Sequence, residues 1–294
     1  MPPILSRRSL LIGVSLALAS RPLLAGAEEG LQDRLRDLEA TLGGRLGIAA
    51  LDMETDRRVD YRSSNLFPLC STVKLLLVGA VLARIDRGQE TLDRAIPLTQ
   101  ADLLDYAPEA RILLPKGKIT VAEACAGAII DSDNSCANLL LASIGGPGAL
   151  TLFARSLGDR TTHLDRIEPF LNEATPGDAR DTTSPAAMLN DLGVLLLQDA
   201  LGKNSRDRLT DWLVKSHTGA DKLRAGLPSD WTVGDKSGAG EHGTSGDVAI
   251  AWPPGRKPLL VSVYLTESTA APAERDKALA DIARLVANEL VSGS

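Results

Sequence analysis

Apolar and polar positions change period twice along this chain. Between residues 31 and 42 leucines recur three or four positions apart among charged residues, which predicts an amphipathic helix. Residues 45–53 and 57–61 read as a strand pair around the polar turn Glu54-Thr55-Asp56. A helix-rich middle follows, with apolar runs at 71–86, 121–130, 134–144, 149–157, 185–197 and 205–215. Short runs rich in Val, Ile or Trp and bounded by Gly or Pro then predict strands at 231–235, 247–252 and 259–265. A last helix runs from Pro272, a residue suited to a first helical position, to Leu290.

Strands at both ends with helices between them predict an α/β fold of the α+β kind. One antiparallel sheet, flanked by terminal helices, is built from both ends of the chain, and the middle is an inserted all-helical subdomain. The expected division is an α/β part at 28–62 and 212–294 and an all-α part at 63–211. A ligand belongs in the groove between them.

Residues 1–27 read as an export signal rather than as part of the fold. Ser6-Arg7-Arg8-Ser9-Leu10-Leu11 precedes an apolar run to Ala19, and Ala25-Gly26-Ala27 supplies a small-x-small cleavage site. The paired arginines point to the twin-arginine route, with an ordinary Sec signal as the alternative. The apolar run is shorter than the ~20 residues needed to span a bilayer, so no stable membrane association is expected. The expected location is the periplasm, or the medium where the host lacks an outer membrane.

The remaining 267 residues suffice for one large domain and are expected to act as a monomer. They carry 29 basic against 38 acidic residues, a net charge of −9, and aromatics make up 3% of the whole chain. Neither a basic stripe nor a stacking platform is present, which argues against nucleic acid as a partner. Cys70, Cys125 and Cys136 show no zinc spacing, and His163, His217 and His242 stand far apart, so neither metal nor cofactor is expected.

Candidate chemistry begins at Ser71 and Lys74. After Pro68, Ser-x-x-Lys opens an apolar run, placing hydroxyl and amine on one helical face, one turn apart. An amine whose pKa is held down can take the hydroxyl's proton, and a helix N-terminus offers N–H groups to an oxyanion. Alone, the pair reads first as a core helix with a lysine at its rim. Ser132-Asp133-Asn134 reads alone as a helix cap, and Lys236-Ser237-Gly238 as a strand end starting a Gly-rich turn. Arg166 to Asp181 has the length of an Ω-loop clamped by its end charges, with Glu168 and Asn172 inside it. Gly238-Ala239-Gly240-Glu241-His242-Gly243 matches a dinucleotide pattern, but a strand follows where a helix is required. The G-x-S-x-G elbow of α/β-hydrolases is absent.

S-x-x-K, S-D-N, E-x-x-x-N and K-S-G occur in that order, 61, 97 and 165 residues beyond Ser71. In this set, over essentially the whole mature length, the chain resembles the class A serine β-lactamases. Asp105-Tyr106-Ala107-Pro108 and Asp181-Thr182-Thr183-Ser184-Pro185 extend the likeness. The resemblance implies hydrolysis of the β-lactam amide of penicillins and cephalosporins through a serine acyl-enzyme, and with it antibiotic resistance. It makes Ser71 the nucleophile and gives the oxyanion to the backbone N–H groups of Ser71 and Ala239. Lys74, or Glu168 through a water, accepts the Ser71 proton. Ser132 passes a proton to the leaving nitrogen, and Asn134 holds Lys74 and the substrate amide. Lys236 and Ser237, in the K-S-G strand with Gly238, bind the substrate carboxylate. Glu168 and Asn172 hold the deacylating water, Tyr106 forms a groove wall, and Glu168-Pro169 is an expected cis peptide.

Three departures matter. The usual partner of a cysteine at position 125 is replaced by Val78, and the partner that carbapenemases give Cys70 is replaced by Gly240, so neither bridge is expected. The usual arginine near the substrate carboxylate is replaced on its strand by Ser245, and its alternative position holds Lys222. Lys222 is then either a carboxylate ligand or a solvated surface charge. D,D-peptidases and β-lactam receptor modules share part of the motif set, but both normally lack the Glu168–Asn172 pair.

Overall fold

The computed structural model describes residues 21–292, so most of the expected export signal lies outside the described residues. Helix α1 (Arg21–Leu42) carries the amphipathic stretch and buries Leu31, Leu35 and Leu42. After the turn at Gly43 and Gly44, β1 (Arg45–Asp52) pairs antiparallel with β2 (Arg58–Tyr61), Ile48 facing Tyr61.

The chain then leaves the sheet through β3 (Phe67–Pro68), a 3₁₀ turn (Cys70–Thr72) and α2 (Val73–Asp86). Next come β4 (Ala95–Pro97), α3 (Pro108–Leu113), β5 (Lys118–Thr120), α4 (Val121–Ile130), α5 (Asn134–Ile144) and α6 (Pro147–Ser156). They are followed by β6 (Thr182–Thr183), α7 (Pro185–Leu197), α8 (Lys203–Lys215) and the single turn α9 (Leu223–Gly226). Helix starts follow their caps. Thr120 and Glu123 form a reciprocal capping box on α4, Asp133 accepts from the Cys136 N–H on α5, and Ser184 caps α7 ahead of Pro185.

The sheet is completed by β7 (Thr232–Gly240), β8 (Thr244–Trp252) and β9 (Leu259–Thr266), and α10 (Pro272–Ala287) packs behind it. Among the described residues the main sheet has the order β2-β1-β9-β8-β7 and is antiparallel throughout. One face packs on the helical middle through Leu260, Val248 and Tyr264; the other packs on α1 and α10 through Val261, Val263 and Leu265. With both faces buried, β9 is apolar at every position but Ser262 and the terminal Thr266, where a half-exposed strand would alternate.

Several expectations shift. Lys236-Ser237-Gly238 lies inside β7 rather than at its end, because pairing with β8 continues to Gly240 opposite Thr244 and ladder bonds override the weak strand preference of glycine. The turn is the following Glu241-His242-Gly243. Ser71 sits in the 3₁₀ turn before α2, not in the α-helix itself. The middle region also holds two small ladders, β3–β6 and β4–β5, and the expected cut at 212 falls inside α8.

Candidate active site

The site forms where the free edge of β7 meets the 3₁₀ turn ahead of α2. Gly238 allows this approach: a Cβ there would stand 3.1 Å from the backbone nitrogens of Ser71 and Thr72. Cys70, just before Ser71, has a positive φ of 44°. The turn is anchored by the Leu69 N–H to the Asp181 carbonyl (2.8 Å) and by Thr72 Oγ1 to Tyr264 Oη (2.9 Å). Ser71 and Ala239 therefore face each other across one junction and, with Ser132, Asn134 and Tyr106, line a cleft of about 370 Å³.

Lys74 is completely buried and joins three of the motifs. Its Nζ donates to Ser71 Oγ (2.9 Å), Ser132 O (2.8 Å) and Asn134 Oδ1 (2.6 Å), with Ser132 Oγ at 3.4 Å. It also lies 2.9 Å from Glu168 Oε1, an ion-pair contact rather than an aligned hydrogen bond. Ser132 has a positive φ of 57°, a position it holds because its neighbours are tied down. Asp133 accepts from the N–H groups of Cys136 and Ala110, and the Asn134 N–H donates to the Tyr106 carbonyl.

The Ω-loop carries Glu168. Its ends are clamped by Arg166 and Asp181 (Nε to Oδ2, 2.5 Å), and Asp181 also accepts from the N–H groups of Asp165 and Arg166. This is no loose surface pair, because Asp181 is buried. The Glu168-Pro169 peptide is cis. Asn172 Nδ2 donates to Glu168 Oε2 (2.5 Å), while Glu168 Oε1 and Asn172 Oδ1 are buried without hydrogen-bond partners, which leaves two acceptors for a water.

On the strand side, Lys236 is fully buried and donates to Ser132 Oγ (3.0 Å) and to the Ser237 carbonyl (2.8 Å). Burial, helped by the charge of Lys74, pushes its pKa down to about 7. Ser237 Oγ donates to Thr218 Oγ1 (2.8 Å). Lys222 also borders the cleft but is not solvated: it is 8% exposed, bonded to Ser245 Oγ (3.1 Å) and paired with Asp276. Tyr106 stands at the mouth, 52% exposed. Cys70, Cys125 and Cys136 are free, buried thiols, and burial raises the Cys70 thiol to about 12.

Every residue singled out from the motifs thus converges on one cleft, Lys222 at its margin. Three contributors were not anticipated. Asn138 brackets Glu168, donating to its carbonyl (2.9 Å) and accepting from its N–H (3.0 Å). Its spacing of four from Asn134 on one helix was the available signal. Thr218 and Asp276 carry no local signal; only the packing of their segments against β7 and β8 brings them in.

The β-lactamase enzyme family model matches residues 30–290. A β-lactamase of Streptomyces albus G is 48% identical over 90% of this chain and 86% of its own length. β-Lactamase CTX-M-25 of Escherichia coli is 43% identical over 95% and 97%. Among solved structures, an ancestral class A β-lactamase is 55% identical with TM-score 0.86, over 88% of this chain and all of that one. A class A β-lactamase PenP described as putative, from Rhodopseudomonas palustris, is 51% identical with TM-score 0.86, over 89% and 100%.

Proposed function

The chain belongs to the class A serine β-lactamases, and from that premise we propose how its own residues divide the reaction. It hydrolyses the β-lactam amide of penicillins and cephalosporins through a serine acyl-enzyme. The observation that carries the assignment of roles is the unbroken chain Ser71–Lys74–Glu168, in which each step spans 2.9 Å.

Lys74 passes a proton to Glu168 and so becomes the base for Ser71. Ser71 Oγ bonds to the lactam carbonyl carbon as its proton moves to Lys74 Nζ, and the N–H groups of Ser71 and Ala239 hold the oxyanion. Collapse breaks the C–N bond. Ser132 gives its proton to the departing nitrogen and is resupplied by Lys74 or Lys236, both within 3.4 Å of its hydroxyl. Lys236, Ser237 and Lys222 receive the substrate carboxylate, Asn134 the side-chain amide, and Tyr106 walls the groove. In the second half Lys74, whose proton has passed to Ser132 directly or by way of Lys236, takes back the proton held by Glu168 across their 2.9 Å contact. Glu168 then takes a proton from a water also held by Asn172. That water attacks the ester carbonyl, and the proton returns to Ser71 as the acid leaves.

Export through the twin-arginine signal to the periplasm, action as a monomer and absence of stable membrane association belong to the same proposal. Export is supported by the Arg7-Arg8 signal and absence of a membrane anchor by the shortness of the apolar run after it; cell fractionation tests both, and light scattering tests the monomer. The mechanism is tested by intact-protein mass after exposure to a penicillin. A transient adduct in the native enzyme, absent in Ser71→Ala, is expected; an adduct retained in Ser71→Ala would overturn it.

A further inference from the structure

The cleft is crossed at one end by a contact that the reaction does not use. His217, on the segment between α8 and α9, reaches Asp131, the residue before Ser132 in the α4–α5 loop, with Nε2 3.5 Å from Oδ1. The two come from opposite walls. Asp131 belongs to the helical side, while His217 lines the cleft beside Thr218, the partner of Ser237. The contact is partly open to water, with the His217 side chain 64% exposed and that of Asp131 27%. Tyr106 stands on the same wall as Asp131, exposed at the mouth.

Its position matters because of substrate chemistry, an argument that rests on the roles proposed above. With the lactam carbonyl at Ser71 and the ring carboxylate at Lys236, Ser237 and Lys222, the ring atom next to that carboxylate lies toward Thr218, the partner of Ser237, and its neighbour His217. In a cephalosporin that atom carries the variable ring substituent. The acyl side chain, its amide held by Asn134, leaves the other way.

We propose that Asp131 and His217 form a strap over the carboxylate end of the cleft that makes the enzyme selective for the ring substituent. A small neutral substituent passes beneath it. A bulky one must part it, and a cationic one gains Asp131 as its own partner, with the exposed Tyr106 ring beside it.

The test uses two cephalosporins with the same acyl side chain, one bearing a small neutral ring substituent and one a pyridinium-methyl group. The readout is the ratio of kcat/KM for the cationic over the neutral substrate. His217→Ala, which removes the competitor for Asp131, should raise this ratio, and Asp131→Asn should lower it, each by roughly three- to tenfold, the scale of an exposed charge contact. Both changes should shrink in high salt, because the attraction between Asp131 and a cationic substituent is screened. A ratio constant within about twofold in both variants, or one that moves in the same direction in both, would overturn the strap. Failure of the underlying mechanism is separable, since it would appear as loss of the Ser71 adduct with either substrate.

Discussion

The floor and the mouth of the cleft use the same kinds of side chain under opposite conditions. At the floor, Lys74, Lys236 and Glu168 are almost wholly out of water, and each is held by several named partners. At the mouth, His217 and Asp131 meet once, in solvent. Attraction to a charge such as that of Asp131 weakens as the effective dielectric rises, and a buried charge deprived of its partner cannot turn to water. Changes at the floor should therefore be severe, and those at the mouth graded and salt-sensitive.

The strongest test of that contrast is Glu168→Ala. Acylation should slow, because Lys74 loses its proton acceptor, but deacylation should slow further, by about 10²–10⁴-fold, the range of general-base contributions, because the attacking water loses its base. A penicillin adduct should then accumulate and be visible by mass. Normal turnover would remove Glu168 from the deacylation step.

Lys236 gives a pH signature. Its pKa is pushed down to about 7 by burial and by Lys74, so in the free enzyme it loses its charge as pH rises through that value. Carboxylate capture needs the charged form. The plot of kcat/KM should fall above about pH 7, approaching tenfold per pH unit, while kcat falls later because a bound carboxylate holds the proton on Lys236. Lys236→Arg, always charged, should abolish the early fall. Coincident limbs for kcat and kcat/KM would contradict this.

Outside the cleft, Asp191 on α7 extends the comparison to burial that the charge of Arg155 only partly offsets. Both of its oxygens, and Asp159 Oδ2, are buried without hydrogen-bond partners. Burial first, and then the facing Asp159, raise its pKa from 3.8 to about 9. The folded chain thus keeps a proton that the unfolded chain releases, and stability falls as pH rises from about 4 to about 9. Asp191→Asn should be more stable than the native protein at pH 8, on the order of 2–4 kcal/mol, with the gain vanishing near pH 4. Denaturant titrations at the two pH values check the slope; identical pH slopes would show that Asp191 does not carry it.

The smallest expected effect lies at the margin. Lys222→Ala should raise KM for a penicillin and a cephalosporin by roughly fivefold with little change in kcat, the signature of lost uniform binding. Lys222→Arg should keep or improve affinity through its two-pronged donor. Unchanged KM in both variants would mean that Lys236 and Ser237 hold the carboxylate without it.

Much of this was legible in the residues themselves. The reactive groups lie in short motifs whose spacing acts locally: Ser71 and Lys74 one turn apart, Ser132 to Asn134 at a helix cap, Glu168 and Asn172 four apart in a tight loop. Apolar runs and caps marked α4, α5 and α7 because helix hydrogen bonds close within the segment. Strand extents were less legible, since a ladder depends on its partner. Thr232–Asp235 reads as β from its own residues, whereas Lys236–Gly240 is extended only because β8 lies beside it.

What the sequence determined by itself is therefore the chemistry: the identity and order of the groups, and the helices that present them. Tertiary structure decided their electrical condition. Lys74 and Lys236 are identical in sequence terms to any surface lysine, and only the packing of the α4–α5 loop, the Ω-loop and β7 around the Cys70–Thr72 turn takes them out of water. The same packing drew Lys222 off the surface onto Asp276 and Ser245, and brought His217 across the cleft to Asp131. Burial and long-range pairing arise from segments far apart along the chain, and no local pattern encodes the dielectric in which a charge will sit.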